Sequence, residues 1–380
     1  MFNLERLIRT LPWPSVRGGT GPLLFSREGT DFEHIRFVAE GPHGEAVMLA
    51  RCHPPHGRSR LVVVKALGHR QSRRARLRLE DEVRLVSRLV HPGIARTFGH
   101  YQNEDTDFAV SELVEGTSLA SVLCDVALRG GFLSEALCLF VCAEVAGALH
   151  HAHTLEDEHG EPLGIIHRDV CPTHIRLSRA GRVKLTGFGL AWSRLPDREE
   201  TAEGEATPLG DADYAAPERL CGGARVGPAS DLFSLGLVLL ELLTGRHLYY
   251  GGPLERRVMH ARTLEGASGM EGGRALGREE LRLRADCFGP RDVEFSARGL
   301  PPPVKAVVHR LLRRDPAERY ATGAALRAEL RQLLKAHGWW YGPRRVAREL
   351  ALLELEAEPL RSKAVAVGTF RSGLGREWPR

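Results

Sequence analysis

Residues that could do chemistry lie in five short segments that follow one another along the chain. The segments are Ile-His-Arg-Asp-Val-Cys-Pro-Thr-His at 166–174, Val-Lys-Leu-Thr-Gly-Phe-Gly at 183–189, Tyr-Ala-Ala-Pro-Glu at 214–218, Ser-Asp-Leu-Phe-Ser-Leu-Gly at 230–236 and Arg-Asp-Pro-Ala-Glu-Arg-Tyr at 314–320. The first contains Asp169, a carboxylate that can accept a proton. Each segment alone is a weak signal, and the information lies in their order.

A second pair of charged residues lies upstream. Lys65 ends the run Val-Val-Val-Lys at 62–65, and Glu82 lies nine residues before the run His-Pro-Gly-Ile at 91–94. By residue type alone, Lys65 and Glu82 could form a simple surface ion pair, and Asp231 could be a helix N-cap. The joint spacing of all these motifs favours a shared site over those separate roles.

The ordered motifs resemble the eukaryotic-like (Hanks-type) Ser/Thr protein kinases, especially the bacterial ones, over about residues 32–336. The resemblance implies that Lys65 contacts phosphate, that Glu82 pairs with it and that Asp169 accepts the substrate proton. It implies that Asp231 braces the catalytic loop from a buried helix. It also implies an ion pair between Glu218 and Arg319 that anchors the end of the activation segment.

The same resemblance implies the residues that would surround ATP. The segment 110–115 is similar to the hinge between the lobes, with Ser111 at the gatekeeper position. The implied nucleotide contacts are Gly41, Gly44, Val47, Val63, Lys65, Glu112, Val114 and Arg176.

The two residues that bind magnesium in such kinases are both replaced. Phosphoryl transfer depends on positioning and on Mg ions that bridge the phosphate oxygens, and these hard cations need oxygen ligands. Gly187 stands at the metal-binding Asp of the Asp-Phe-Gly motif and has no side chain, and His174 stands at the Asn that closes the catalytic loop. Imidazole favours softer metals. We therefore expect no Mg site and no firmly bound cofactor, and leave open whether ATP binds.

Other positions depart from the family pattern in the same direction. Val63 replaces the smaller Ala above adenine, Arg176 replaces the apolar residue below it, and Cys171 stands at the catalytic-loop Lys. Asp211, in the activation segment, is expected to bring a second carboxylate near Asp169, which would disfavour its ionised form.

The glycine-rich loop is also incomplete. Gly41 and Gly44 remain, but their spacing does not fit the phosphate-binding pattern, and Pro42 removes a backbone donor. An ordinary β-turn is the favoured interpretation of this stretch.

The elements that must position these residues change type along the chain. Short alternating runs in 32–110 predict strands, interrupted by one helix at 73–89. Later segments predict helices at 137–153, 231–244, 304–312, 323–336 and 344–356. This order predicts an α+β, two-lobed kinase fold, with a small antiparallel β lobe carrying one key helix and a larger helical lobe.

The predicted boundaries follow from these elements. We assign 1–31 to an N-terminal extension, 32–114 to the small lobe, 115–336 to the large lobe and 337–380 to a C-terminal extension. Within the large lobe, about 250–300 lacks a clear period and is expected to be an exposed insertion.

Composition limits the remaining classes of function. The net charge of +5 comes almost entirely from Arg interleaved with acidic residues, and no basic face with aromatics predicts nucleic-acid binding. The seven Cys lack a Cys-x-x-Cys pair, which indicates reduced thiols and a cytoplasmic protein. Cys138 and Cys142 are expected in the core rather than on a metal. The longest apolar run, 235–243, is too short to span a membrane.

Three functions are compatible with this pattern. The first is a pseudokinase that binds and regulates a protein partner, such as an active kinase or its substrate. The second is an atypical but active ATP-dependent Ser/Thr kinase with a non-standard metal arrangement, in which Asp211 or Asp213 swings in. The third, weaker one is a metal-dependent enzyme built on His150, His151 and His153. The 250–300 stretch and the aromatic run 339–341 are candidate partner surfaces.

Overall fold

The computed structural model describes residues 21–41, 44–68, 71–103, 106–195, 210–222, 226–254, 277–336, 338 and 340–366. A six-stranded antiparallel sheet forms the first lobe, in the order β1-β2-β3-β4-β6-β5. Its strands are β1 (Leu23–Arg27), β2 (Thr30–Glu40), β3 (Ala46–His53), β4 (Arg60–Gly68), β5 (Thr97–Asn103) and β6 (Thr106–Glu112). Helix α1 (Arg73–Val86) lies between β4 and β5 in the chain, as the sequence predicted.

Strand alternation separates the core of this lobe from the cleft. Met48, Val62 and Val64 point into a core with Phe32 and Phe108, since successive side chains on a strand point to opposite faces. Val47 and Lys65 are directly paired across β3 and β4. Lys65 therefore lies on the opposite face of the sheet from the core.

The first lobe begins earlier than the predicted boundary at residue 32. Strand β1 pairs with β2, and Phe25 stacks on Phe32 with ring centroids 4.4 Å apart. Most of the predicted N-terminal extension, residues 1–20, lies outside the described residues. The short strand was missed because only one of its five residues is buried.

Helices dominate the second lobe. They are α2 (Leu119–Arg129), α3 (Glu135–His153), α4 (Pro217–Leu220), α5 (Pro228–Thr244), α6 (Arg278–Cys287), α7 (Pro290–Ser296), α8 (Pro302–Leu311), α9 (Gly323–Ala336) and α10 (Pro343–Ala366). Three short strands, β7 (Gly116–Ser118), β8 (Ile175–Ser178) and β9 (Val183–Leu185), form a small antiparallel sheet in the order β7-β8-β9. The two-lobed α+β prediction is confirmed.

Helix α3 passes through the centre of this lobe. Cys138 and Cys142 are fully buried on it, as predicted, and burial raises the pKa of both thiols. By length and composition α3 could cross a membrane, and within the described residues it alone could. However, 78% of the apolar stretch is buried inside the lobe. Packing in the core therefore explains why this helix is apolar.

The prediction of an exposed insertion at about 250–300 is wrong for its second half. Residues 278–287 and 290–296 form helices, and Leu281, Arg284 and Val293 are buried. Arg284 donates a hydrogen bond to the carbonyl of Tyr249 at 2.6 Å. The arginine-rich composition suggested an exposed segment, but the guanidinium of Arg284 is buried. The Tyr249 carbonyl and the Glu280 carboxylate accept its hydrogen bonds. Residues 255–276 lie outside the described residues.

The C-terminal helix α10 begins one residue earlier and ends ten residues later than the predicted helix 344–356, and it packs on α2. Arg361 is paired with Asp125, and Arg129 with Glu356 at 2.8 Å. Residues 367–380 of the predicted C-terminal extension lie outside the described residues.

Candidate functional site: the cleft between the lobes

The loop that carries Asp169 is held by a buried carboxylate of helix α5. Asp231 accepts hydrogen bonds from the backbone N–H groups of His167 at 2.8 Å and Arg168 at 2.9 Å, and from the ring of His153 at 2.8 Å. Arg168 has a φ of 65°, a conformation that costs free energy in a non-glycine residue. The alternative role of Asp231 as a helix N-cap is wrong, because Gly227 caps α5. Asp231 instead fixes a strained turn next to Asp169.

Lys65 and Glu82 form a two-pronged ion pair across the first lobe. The ammonium of Lys65, on β4, lies 2.6 and 2.8 Å from the two carboxylate oxygens of Glu82, on α1. Their side chains are only 25% and 17% exposed, so the alternative of a simple surface pair does not describe them. The pair fixes α1 against the sheet and faces the cleft.

Gly187 and His174 share one space. Gly187 has a φ of +83°, in the left-handed region, and a Cβ on it would lie 2.5 Å from Cδ2 and Cγ of the His174 ring. No side chain fits at 187 while the ring is there, since such contacts are far inside van der Waals distance. The two substitutions found in the sequence are therefore one structural change.

His174 is directed at Asp169. Its Nδ1 lies 2.9 Å from the Asp169 carbonyl and 3.3 Å from Oδ2 of the carboxylate. Burial disfavours the imidazolium, but the Cys171 sulfur and the Asp169 carboxylate favour it, and the net result is a His174 pKa well above its ordinary value. Burial raises the pKa of the Cys171 thiol.

Asp211 approaches Asp169 differently from the prediction. Its backbone N–H donates to Asp169 Oδ1 at 2.8 Å, and its carboxylate accepts from the N–H of Asp213. Asp213 in turn accepts a hydrogen bond from Tyr250 at 2.7 Å. The contact with Asp169 is therefore a donated hydrogen bond rather than two facing carboxylates.

The predicted phosphate-binding loop is a turn in which the backbone donors are used. The N–H of Gly41 donates to the carbonyl of Glu45 at 2.7 Å, and the N–H of Gly44 donates to the carbonyl of Gly41 at 3.1 Å. Residues 42 and 43 lie outside the described residues. These donors close the hairpin between β2 and β3, and they are not directed at a ligand.

The predicted adenine contacts are spread around the hinge. Arg176, on β8, donates to the carbonyl of Gly116 at 3.3 Å, and burial lowers the pKa of its guanidinium to about 10. The Glu112 carboxylate is bound by Lys184 at 2.8 Å, and Val114 is buried. A guanidinium that stays charged thus lies beside the hinge.

The cavity at Lys65, Glu82 and Asp169 is small. Its volume is about 80 Å³, whereas pockets for drug-sized ligands enclose roughly 300–1,000 Å³. It is lined by Glu45, Lys65, Leu67, Ala75, Arg78, Leu79, Glu82, Asp169, His174, Gly187, Gly189 and Leu190. The predicted contacts Val47, Val63, Glu112, Val114 and Arg176 do not line it.

A buried ion pair fixes the end of the segment that follows this cleft. Both guanidinium NH groups of Arg319 reach the carboxylate of Glu218, at 2.7 and 2.8 Å. Ser230 also donates to Glu218 at 2.7 Å. The predicted pairing is confirmed, over a separation of 101 residues.

The whole arrangement matches one family. The protein kinase domain matches residues 34–331. The chain belongs to the protein kinase family. This confirms the resemblance to the bacterial Hanks-type kinases.

Individual relatives of this kinase domain are mostly bacterial and longer. The chain is 28% identical over 328 residues to the tyrosine-protein kinase MasK of Myxococcus xanthus, covering 85% of this chain and 46% of that protein. It is 26% identical over 310 residues to a probable serine/threonine-protein kinase of Clostridium perfringens, covering 81% and 39%. It is 29% identical over 261 residues to the serine/threonine-protein kinase PknB of Mycolicibacterium smegmatis, covering 67% and 35%. The chain spans less than half the length of these relatives.

Magnesium, which this family implies, does not fit the residues of this kinase domain. A Mg²⁺ ion demands an octahedron of hard oxygen ligands. Gly187 offers none, and His174 turns a ring nitrogen toward Asp169 instead of an amide oxygen. Among the described residues that line this cavity, the carboxylates are Glu45, Glu82 and Asp169, and Glu82 is paired with Lys65.

Sequence reasoning missed one grouping in the kinase domain and proposed one that is wrong. Asp169, Cys171 and His174 bring their ligand atoms within 4.8 Å of one another, the only such group within the described ranges. The spacing Cys-x-x-His at 171–174 was the available signal. In contrast, His153 pairs with Asp231 and His151 stacks on His91, so the histidines at 150–153 do not form a ligand set.

Proposed function

We propose that this chain is a pseudokinase, a protein kinase domain that does not transfer phosphate with Mg-ATP and acts by binding a protein partner. One observation carries the proposal. The His174 ring fills the space that a metal-binding side chain at Gly187 would need. An acidic side chain at 187 would require the ring to move, so this conformation excludes a magnesium ligand there.

Three further features support the proposal. The cavity at the retained catalytic residues encloses only about 80 Å³, and its lining includes none of the predicted adenine contacts Val63, Glu112, Val114 and Arg176. The backbone donors of Gly41 and Gly44 are used within their own turn. Arg176 places a charged group beside the hinge, where burial of an unpaired charge against an adenine ring would be costly.

The test compares nucleotide binding with catalysis. Thermal unfolding is followed with ATP, ATP plus Mg²⁺, ATP plus Mn²⁺, and adenosine, because a ligand that binds the native state raises its stability. In parallel, transfer from radioactive ATP to the chain itself and to a generic protein substrate is measured. We expect no stabilisation by Mg-ATP and no transfer. Mg-dependent transfer that is lost in Asp169→Asn would overturn the proposal.

An active kinase with a non-standard metal arrangement is the second candidate. The observation in its favour is the Lys65–Glu82 pair, which is formed at 2.6 Å and faces the same cavity as Asp169. This candidate predicts transfer with Mn²⁺ that disappears with a chelator and in Lys65→Met. Lys305→Met, which breaks an exposed pair with Glu294, is the matched control and should leave the rate unchanged.

A protein partner follows from the family, since protein kinases act on proteins. Of the aromatic run 339–341, Trp340 is 91% exposed, whereas Tyr341 packs on Phe140 with centroids 5.6 Å apart, and Trp339 lies outside the described residues. We infer that Trp340 anchors the partner, because exposed Trp residues dominate many interfaces.

The partner test uses the chain in its own host. A kinase or kinase substrate that co-purifies with the chain and is lost with Trp340→Ala would support this surface. Val90→Ala, which shortens an apolar side chain of the other lobe that is 73% exposed, should retain the partner. Equal recovery with both variants would exclude Trp340 as the anchor. A cytoplasmic location remains a prediction, consistent with seven cysteines that form no disulfide within the described residues.

A further inference from the structure

The catalytic loop carries a set of metal ligands of a different kind from the family's magnesium ligands. Asp169, Cys171 and His174 lie within six residues and meet at one point. The turn Pro172–His174 brings the histidine back over the loop. We propose that these three side chains form a binding site for a thiophilic divalent cation of the Zn²⁺ class.

Two of the three distances between the ligand atoms match a tetrahedral site, and the third, between the Cys171 sulfur and an Asp169 carboxylate oxygen, is within 4.8 Å. Cys171 Sγ lies 3.5 Å from His174 Nδ1, and that nitrogen lies 3.3 Å from Asp169 Oδ2. Tetrahedral Zn²⁺ with its usual bond lengths places a sulfur and a nitrogen ligand about 3.5 Å apart, and a nitrogen and an oxygen ligand about 3.3 Å apart. The side chains therefore already stand at two edges of the required polyhedron.

The surrounding groups hold the ligands in place. The backbone N–H of Asp211 donates to Oδ1 of Asp169 at 2.8 Å, which leaves Oδ2 directed at His174. Such contacts to a ligating carboxylate orient it and support affinity. Cys171 is 2% exposed, so its sulfur cannot turn away into solvent.

The cavity supplies access and the fourth position. Asp169 and His174 line the cavity of about 80 Å³, whereas Cys171 does not line it. That volume holds about two or three water molecules. A tetrahedral site with three protein ligands keeps one position for water or another ligand. Lys65, which also lines this cavity, is paired with Glu82.

The ligand types select against magnesium. Thiolate and imidazole favour Zn²⁺, Co²⁺ and similar ions, whereas Mg²⁺ favours oxygen. Binding displaces the thiol proton of Cys171 and the Nδ1 proton that His174 directs at the Asp169 carbonyl, and both protons go to solvent. A bound cation would also engage Oδ2 of Asp169, the atom that would otherwise be free to accept a substrate proton.

The experiment uses Co²⁺ as a spectroscopic probe. The full chain is treated with a chelator under reducing conditions, dialysed and titrated with Co²⁺. We expect one ion per chain, a thiolate-to-cobalt charge-transfer band and visible bands of tetrahedral strength. Added Zn²⁺ should abolish the bands, and a large excess of Mg²⁺ should leave them unchanged. Absence of a thiolate-to-cobalt band would overturn the proposal.

Variants distinguish this site from the other thiols. Cys171→Ser should lose the charge-transfer band, and His174→Gln should weaken Co²⁺ binding by at least about 100-fold, because even residues behind the ligands contribute 10–100-fold. Cys287→Ser, which removes an exposed cysteine, should retain both the charge-transfer band and the Co²⁺ affinity. An unchanged band in Cys171→Ser would reject the site. Circular dichroism without metal checks folding, and His174→Gln still decides the question if Cys171→Ser fails to fold.

This inference and the proposed loss of kinase activity fail separately. Phosphate transfer is measured on the same metal-free and Zn²⁺-loaded samples. Transfer together with a cobalt–thiolate band would reject the pseudokinase proposal and retain the metal site. Absence of both phosphate transfer and the cobalt–thiolate band would reject the metal site and retain the pseudokinase proposal.

Discussion

The ring of His174 lies where a side chain of residue 187 would have to be, 2.5 Å from the position of a Cβ on Gly187. The residue type at position 187 is thus restricted by the side chain of a residue that lies 13 positions earlier in the sequence. Their separate substitutions remove the two family ligands for magnesium, and their contact excludes a side chain at position 187 while the His174 ring stays in place.

This contact predicts a non-additive pair of mutations. Gly187→Ala is expected to destabilise the chain by the cost of a Cβ at positive φ, about 1–2 kcal/mol, and by an overpacking cost of about 1–3 kcal/mol. In a His174→Ala background the second cost should disappear. Urea unfolding of the four proteins in this cycle gives the coupling.

Gly222→Ala is the matched control for that cycle. Gly222 has a φ of +75° and no atom within 4 Å of its Cβ position, so only the backbone cost applies. If Gly187→Ala and Gly222→Ala have the same effect, the His174 ring does not occupy the space.

The Glu218–Arg319 pair predicts a strong effect of breaking one partner. Arg319→Met leaves a buried carboxylate without its cation, and we expect a loss of about 3–5 kcal/mol. The double variant Arg319→Met with Glu218→Gln should recover part of the lost stability, because the unpaired carboxylate charge is removed. Arg314→Met, which breaks the exposed pair with Asp286, should cost less than about 1 kcal/mol. Chemical denaturation measures all three, and similar values for Arg319→Met and Arg314→Met would contradict the prediction.

The Lys65–Glu82 pair predicts an intermediate coupling. The side chains are partly exposed, so solvent weakens the pair relative to a buried one, but the two-pronged geometry fixes α1. A double-mutant cycle with Lys65→Met and Glu82→Gln should give about 1–2 kcal/mol, above the 0.2–1 kcal/mol typical of exposed pairs. The cycle for Lys305 and Glu294 supplies the exposed reference. A Lys65–Glu82 coupling no larger than that reference would show that the pair does not brace the lobe.

Asp231 predicts a dependence of stability on acid pH. Burial alone would raise its pKa, but the hydrogen bond and charge of His153, with the charge and N–H of His167, hold the pKa below the ordinary 3.8. Because the folded-state pKa is depressed, this stabilisation is present above pH 3.8 and is lost as pH falls through the lower folded value.

The measurement compares the wild type with Asp231→Asn across that range. At neutral pH the variant should be less stable by about 2–4 kcal/mol, since one N–H of the loop loses its acceptor. The difference in urea midpoint should narrow below pH 3.8. If the difference in urea midpoint between the wild type and Asp231→Asn stays constant at all acid pH values, the charge of Asp231 is not responsible for the stabilisation.

Much of the fold was predictable because it follows from local periodicity. The helix at 323–336 was predicted at its observed bounds, and the core role of Cys138 and Cys142 followed from an apolar helical stretch. Strand β1 and the helix at 278–287 were missed, since β1 is mostly exposed and Arg284 is a charge buried by partners far along the chain.

The sequence by itself determined the family and the absence of both magnesium ligands, because motif order and residue type do not depend on coordinates. It also predicted the pairs Lys65–Glu82 and Glu218–Arg319. Only the tertiary structure decided that His174 fills the space beside Gly187, that Asp211 meets Asp169 through its backbone, and that Cys171 joins His174 and Asp169. These relationships are contacts of a few ångströms between separate turns of the chain. Such contacts are set by packing rather than by spacing along the sequence.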